Sequence, residues 1–315
     1  MKHFVIYTNL HKDKDMAVTN RIRDYLTSHG GNCQVWVKSG NEEFVLSEDA
    51  ECMVVLGGDG TMLQAARDLK QSRIPLIGVN LGTLGYMTEI ELSALEESLD
   101  CLLADRFGVE SRMMLSGKVF RRQKDAALQE GQGTAQQEEK GAALQEGCPM
   151  NGMVNAAGFD GREQKDWALN DIVISRCGLL QIIKFNILVN GQFLNDYSAD
   201  GVIITTPTGS TGYNLSAGGP IVEPKARLIM ITPICPHTLN QRSIILSPED
   251  VIEIEISQGR EGQDQVVEAS FDGNHVIHMR TGDRIRIRKS EKTTDIIKLS
   301  QAGFLEVLHK KMSES

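Results

Sequence analysis

No run in the sequence approaches the roughly 18 consecutive apolar residues that a membrane span needs. The opening MKHFVIYTNL also lacks the apolar stretch and small-residue cleavage site of a secretion signal. These absences point to a cytoplasmic protein with no membrane partner. Basic residues are in deficit, 33 against 42 acidic for a net charge of −9, so the chain has no overall basic excess for holding nucleic acid, which is not an expected partner. Cys33, Cys52, Cys101, Cys148, Cys177 and Cys235 are scattered, with no C-x-x-C pair and no cysteine/histidine set at zinc-ligand spacing. The pattern predicts reduced, mostly buried thiols and no protein-built metal site. Aromatics are scarce overall, at 5%, and nearly missing from 121–166, where AALQEG occurs twice among Gln, Glu, Ala and Gly. Such a stretch cannot bury enough apolar area to offset its ordering entropy, so a disordered surface insertion is expected there.

What is present fits a soluble globular chain. Its 315 residues, 41% hydrophobic and 24% charged, are enough for two domains with a core each. Over residues 1–108 strand-like segments (3–9, 33–38, 52–57, 74–80) alternate with helical ones (15–30, 61–70, 92–106). This predicts an α/β N-terminal domain with a Rossmann-like parallel sheet. From 109 to 300 the segments alternate apolar and polar residues, among them DRIRIRKS, TDIIKLS and the hairpin signal Asn190-Gly191. A mostly antiparallel β domain is expected, interrupted by the insertion. The segment 301–315 reads as a short helix packing back on the first domain.

Two glycine clusters carry the chemistry. VVLGGDGT lies where a buried strand hands over to a helix, the end of an open α/β sheet at which ligands collect. Gly57, Gly58, Gly60 and Thr61 there suit a phosphate: glycine admits close backbone approach, and a helix N-terminus offers free N–H groups. No Lys-Ser/Thr follows, and the G-x-G-x-x-G spacing is absent, so this is neither a P-loop nor a dinucleotide fingerprint. Asp59 stands among the glycines either as a helix cap or as a base that orients and deprotonates an attacking hydroxyl. The second cluster, TTPTGSTGYNLSAGG, offers many small hydroxyl donors around a bend, with Tyr213 available to stack on a ring. Trp36 and Trp167 read as packing residues, His237 as structural, and RIRIRKS as a solvated or phosphate-contacting strand.

LGGDGTML, NLGTLGYMTEI, LNDIVISR, SADGVIITTPTGSTGYNLSAGGPIV, ITPICPHTL and FDGNH stand in the order and spacing of the ATP-dependent NAD kinases, which the chain resembles outside 121–166. The resemblance implies phosphoryl transfer from ATP to the 2′-hydroxyl of the adenosine ribose of NAD. It makes Asp59 the general base and, with Gly60, part of the NAD site. Asn170 and Asp171 would hold the NAD ribose and nicotinamide side, Asp200 would contribute from a neighbouring strand, and Thr211, Gly212, Tyr213 and Ser216 would receive the adenine moiety. Asn274 stands where the family more often has Gln, and Gly212 where Ala is frequent. Clustered phosphates and carboxylates call for a divalent cation, most simply Mg²⁺ carried in by ATP. The family assembles as homodimers and homotetramers, so a homo-oligomer is expected. Two alternatives stay open on the residues alone: a diacylglycerol-type lipid kinase, which shares GGDGT, and a regulatory module that senses NAD(P).

Overall fold

The computed structural model describes residues 1–37, 44–69, 72–82, 85–122, 164–178, 182–238, 242–299 and 303–313. The expected insertion therefore lies outside the described residues except at its two ends. In the first part β1 (His3–Thr8), α1 (Ala17–Ser28), β2 (Asn32–Val37), β3 (Cys52–Gly57), α2 (Asp59–Asp68), β4 (Leu76–Asn80), β5 (Thr88–Ile90) and α3 (Leu95–Leu103) follow one another. The strands pair in parallel in the order β2-β1-β3-β4-β5. All six residues of β3 are buried, as a parallel strand covered on both faces requires. Its alternate residues supply two cores. Val54 and Leu56 pack with Ile22, Leu26 and Leu99 of α1 and α3 on one face, and Met53 and Val55 with Met62 and Ala65 of α2 on the other.

The second part contains β6 (Gly108–Phe120), β7 (Gln164–Ala168), β8 (Asp171–Arg176), β9 (Ile183–Val189), β10 (Gln192–Ala199), β11 (Gly201–Thr205), α4 (Tyr213–Ser216) and β12 (Ile229–Ile234). After these come β13 (Ile244–Leu246), β14 (Ile252–Ile256), β15 (Val266–Phe271), β16 (His275–Arg280), β17 (Arg284–Lys298) and α5 (Phe304–Ser313). A six-stranded sheet, β13-β12-β11-β8-β15-β16, is antiparallel throughout. Its inner face (Ile172, Ile174, Ile204, Phe271) packs with Leu115, Phe185, Ile254 and Ile287 of the other sheet as a sandwich core. Between β9 and β10 the turn residues Asn190 and Gly191 both take positive φ, 52° and 76°, as a tight hairpin demands.

Three boundaries differ from the sequence reading. DRIRIRKS and TDIIKLS are one strand, β17, whose register against β6 shifts between Lys289 and Thr293. The irregularity lets the first half pair with β14 and the second half reach β4, in parallel, at Ile296 and Leu76. That joins both parts in a single eleven-stranded sheet. Arg284 and Arg286 of the basic half lie 2.7 Å from Glu255 and Glu253 of β14, so its charge is matched within the sheet. Gln164–Asp166, read as the end of the insertion, belong to β7, because their backbone pairs with Gly117–Val119 of β6. Finally, α2 begins at Asp59 rather than Thr61. At the C-terminus, α5 sets Lys311 4.0 Å from the Tyr86 ring and Lys310 3.3 Å from Glu91.

Candidate functional site

At the carboxyl end of β3 the backbone turns through Gly57 and Gly58 into α2. Gly57 is glycine for packing: an added Cβ would lie 2.2 Å from Thr61 Oγ1, which accepts a hydrogen bond from Asn9 Nδ2 at 3.1 Å. Gly58 and Gly60 differ. Neither has a positive φ, and a Cβ on either would meet no protein atom within 4 Å. Neither backbone conformation nor packing requires glycine there, and the open space beside both would admit a ligand close to the backbone. Lys12, in the loop after β1, brings its Nζ to 3.8 Å from where a Cβ on Gly82 would sit, beside the end of β4. Sequence reasoning passed over Lys12, since nothing in its spacing ties it to the glycines.

Asp59 occupies the first turn of α2 but does not cap it. Its Oδ2 accepts the Tyr86 N–H at 2.8 Å and its Oδ1 the Met87 N–H at 2.9 Å. These two bonds couple GGDGT to NLGTLGYM. Gly85 makes room for them, because a Cβ there would stand 2.2 Å from Asp59 Oδ1. Burial, and then the charge of Asp59, pushes the Tyr86 hydroxyl pKa up. Asp59, Leu63 and Arg67 recur at helical spacing along one side of α2. Arg67 reaches across to Asp166 (2.6 Å) and to the carbonyls of Trp167 (2.9 Å) and Phe271 (3.1 Å). Leu63 lines a cleft of about 560 Å³. One turn before it, Asp59 stands roughly 6 Å along the helix axis from that wall.

The cleft is also lined by Asn170, Asp171, Tyr213, Ser270, Asp272 and Gly273. Asp272, with φ 51°, accepts the backbone N–H groups of Leu169 (2.8 Å), Asn170 (2.8 Å) and Asp171 (3.1 Å), and so shapes the entry into β8. Burial raises its pKa against the pull of those three amides and of Arg67. Asp171 is buried too, and desolvation, followed by the charge of Asp272, pushes its carboxyl up to about 7. Asn170 Oδ1 is buried without a hydrogen-bond partner among the described residues. An orphaned acceptor on a cleft wall is a place for a ligand's donor.

The bend after β11 wraps round Asn170. The Asn170 carbonyl accepts Thr206 N and Thr205 Oγ1, both at 2.9 Å. Gly209 lies so close that a Cβ would fall 2.4 Å from that carbonyl, whereas a Cβ on Gly212 would meet Asn170 Nδ2 at 3.4 Å and Asp171 Oδ2 at 4.0 Å. Alanine therefore fits at 212 with little adjustment. Tyr213 presents a half-exposed ring to the cleft, with Thr211 and Ser216 close in sequence on either side. Below them Asn214, fully buried, accepts from Thr232 Oγ1 at 2.7 Å and donates to the carbonyls of Ser210 and Pro220. Asn274 follows Gly273 in the turn, its N–H on the Phe271 carbonyl at 3.1 Å.

The expected site residues thus fall into three places. Gly57, Gly58, Asp59, Gly60 and Thr61 form the glycine turn, while Asn170, Asp171, Gly212 and Tyr213 gather at the cleft. Asp200 is apart from both: it pairs with Arg176 at 3.0 Å, at the far end of the β8–β11 ladder from the Asp171–Thr205 pair. Asp272 and Arg67 were missed as site-building residues. Asp-Gly at 272–273 was a readable turn signal, but Arg67 looks like any helix-surface arginine.

Comparison with known proteins shows the family and the fold. Residues 4–107 match the family profile described as ATP-NAD kinase N-terminal domain, and 169–299 that of the ATP-NAD kinase C-terminal domain. The NAD kinase of Lachnospira eligens is 42% identical over 330 aligned residues, covering 99% of this chain and 100% of its own. The NAD kinase of Agathobacter rectalis is 42% identical, covering 99% of each chain. Among solved structures, yeast NADH kinase complexed with NADH superposes with a TM-score of 0.75 at 21% identity, over 99% of this chain and 88% of that one. An NAD kinase from Archaeoglobus fulgidus in complex with ATP gives 0.70 at 23% identity over the whole of both. At those identities the superpositions speak for the fold. With both domain profiles matched and relatives of 42% identity over nearly the full length, the chain belongs to the ATP-NAD kinase family.

Proposed function

We propose that the chain is an NAD kinase, transferring the terminal phosphoryl group of ATP to the 2′-hydroxyl of the adenosine ribose of NAD, with Asp59 as the base. The observation that carries the role of Asp59 is its carboxylate, held by the Tyr86 and Met87 amides beside glycines that face open space. A ribose hydroxyl is far too weak an acid for a carboxylate to deprotonate in advance. In a loose transition state its proton leaves late, so Asp59 has only to orient the hydroxyl and collect the proton as the bond to phosphorus forms. The two amide bonds fix the carboxylate for that task. Gly57, Gly58, Gly60 and Thr61 with the start of α2 receive the donor phosphates, and Lys12 adds positive charge there. Asn170 and Asp171 accept ribose hydroxyls and Tyr213 packs on the adenine.

A divalent cation fits this site as a passenger of the nucleotide. Among the described residues no three-donor group lies at the glycine turn, and Mg²⁺ keeps waters and binds through phosphate oxygens rather than in an all-protein cage. Bound there, it would neutralise charge on the transferring phosphoryl group. We assign residues 1–108 and 109–300 as the two domains, with 301–315 packing back on the first, and place the protein in the cytoplasm. No helix among the described residues is long and apolar enough to cross a membrane. Homo-oligomerisation, as dimer or tetramer, is supported by exposed Phe193 and Leu194 on edge strand β10 and Ile245 on edge strand β13.

NADP formation from NAD, ATP and Mg²⁺ tests the reading. An Asp59→Asn variant, which can keep only one of the two amide bonds, should still bind NAD and turn over about 10²–10⁴-fold more slowly. Equal turnover would remove Asp59 from the chemical step, and no NADP from the parent would remove the activity itself.

A further inference from the structure

The cleft has a second end. Along β8 Asp171, Val173 and Ser175 face it, along β15 Glu268 and Ser270, and from β16 Val276. The residues between them (Ile172, Ile174, Val267, Ala269, Ile277) enter the sandwich core. The cleft floor is therefore the outer face of the six-stranded sheet, acidic near Asp171 and Asp272. At the opposite end, Glu268 is paired in register with His278 on one side and with Ser175 on the other. Two residues past Ser175 the chain places Cys177. One ligand atom from each of Cys177, Glu268 and His278 lies within 4.8 Å of the others, with His278 Nδ1 3.7 Å from Glu268 Oε1. Sequence spacing hides the group, because Cys177 reaches Glu268 and His278, ten residues apart on a hairpin, only through strands pairing across about ninety positions.

We propose that Cys177, Glu268 and His278 bind one zinc-class divalent cation on the floor of the cleft. A tetrahedral ion holding sulfur at about 2.3 Å and nitrogen or oxygen at about 2.0–2.1 Å spaces its ligands roughly 3.2–3.8 Å apart, so small side-chain rotations complete the set. A thiolate, an imidazole and a carboxylate favour zinc over magnesium or calcium, which take oxygen ligands. His278 is half-exposed, which gives an entry path. Three protein ligands leave a fourth position for water, and Glu268, the one ligand that lines the cleft, ties the site to it. The ion lies about 13 Å along β15 from Asp272. It is separate from the cation that travels with ATP.

Metal-free protein titrated with Co²⁺ tests the site without relying on kinase activity. The parent should bind one ion per chain and show a thiolate-to-cobalt charge-transfer band in the near ultraviolet, reversed by Zn²⁺. Cys177→Ser should lose the band, and His278→Ala and Glu268→Gln, both at partly exposed positions, should each weaken binding at least ~10-fold. Thermal midpoints close to the parent's would show that the variants are folded. A band that survives in Cys177→Ser, variants that bind as tightly as the parent, or no saturable binding by the parent overturns the proposal.

Discussion

Replacing Asp171 by asparagine should make the empty protein more stable above neutral pH while loosening its hold on the dinucleotide. In the unfolded chain this carboxyl ionises near 3.8; in the fold, burial and then the charge of Asp272 push it to about 7. Below about pH 4 it is neutral in both states and costs nothing. As pH rises toward 7 the unfolded chain ionises freely and the folded one does not, so stability is lost across that interval and stays lost above it. At about 1.4 kcal/mol for each tenfold change in proton affinity, the full penalty is up to about 4 kcal/mol. Asparagine keeps the shape and carries no charge, so its advantage should approach that value at pH 8 and fall below half of it by about pH 5. Urea midpoints of parent and variant at the two pH values measure it. With Asp171 holding ribose hydroxyls as proposed, the same substitution would remove a charged acceptor worth about 1.5–3 kcal/mol, and NAD should bind roughly 10- to 100-fold more weakly. An advantage independent of pH, or a variant less stable at pH 8, would refute the account of Asp171 as a charge held against its own solvation.

Four further outcomes follow from close contacts. Gly85→Ala places a methyl 2.2 Å from Asp59 Oδ1, and turnover should fall about 100-fold, the order expected for a displacement near 1 Å, with an unchanged circular dichroism spectrum. Gly212→Ala, whose closest contact is 3.3 Å to the Gly209 carbonyl, should cost less than about 1.5 kcal/mol and keep activity. Gly209→Ala, 2.4 Å from both the Asn170 carbonyl and Thr205 Oγ1, should by contrast lower the melting temperature sharply and lose NAD binding. Arg67→Ala strips a cation from buried Asp166 and a donor from two backbone carbonyls, and chemical denaturation should show a loss of about 3 kcal/mol.

Features written in neighbouring residues were legible in the sequence. Strand β3 running into a glycine turn and helix could be read directly, because buried parallel strands are continuous apolar runs and the turn residues adjoin them. Asn190-Gly191 likewise announced its hairpin. What distant residues decide was not legible. Nothing near Asp59 says that its carboxylate is held by amides 27 and 28 residues away, and the cap reading was the local alternative that this tertiary contact displaced. The same holds for Asp272, whose three amide partners lie more than a hundred residues upstream. Strand β17 looked like two strands because its two halves answer to different neighbours, glutamates of β14 for one and the α/β core for the other.

Strand β17 also sets an order of events during synthesis. Ile296 and Ile297 fill the two faces of the core that α1, α2 and α3 cover, yet they are made nearly two hundred residues after α3. A ribosome that has released only the first 107 residues has produced an α/β layer in which the start of β4, before the residues that β5 pairs, lacks its neighbour, and each core has a gap. The nascent chain must wait for β17, the last strand among the described residues, before its first third is finished, and until then that edge stays unpaired.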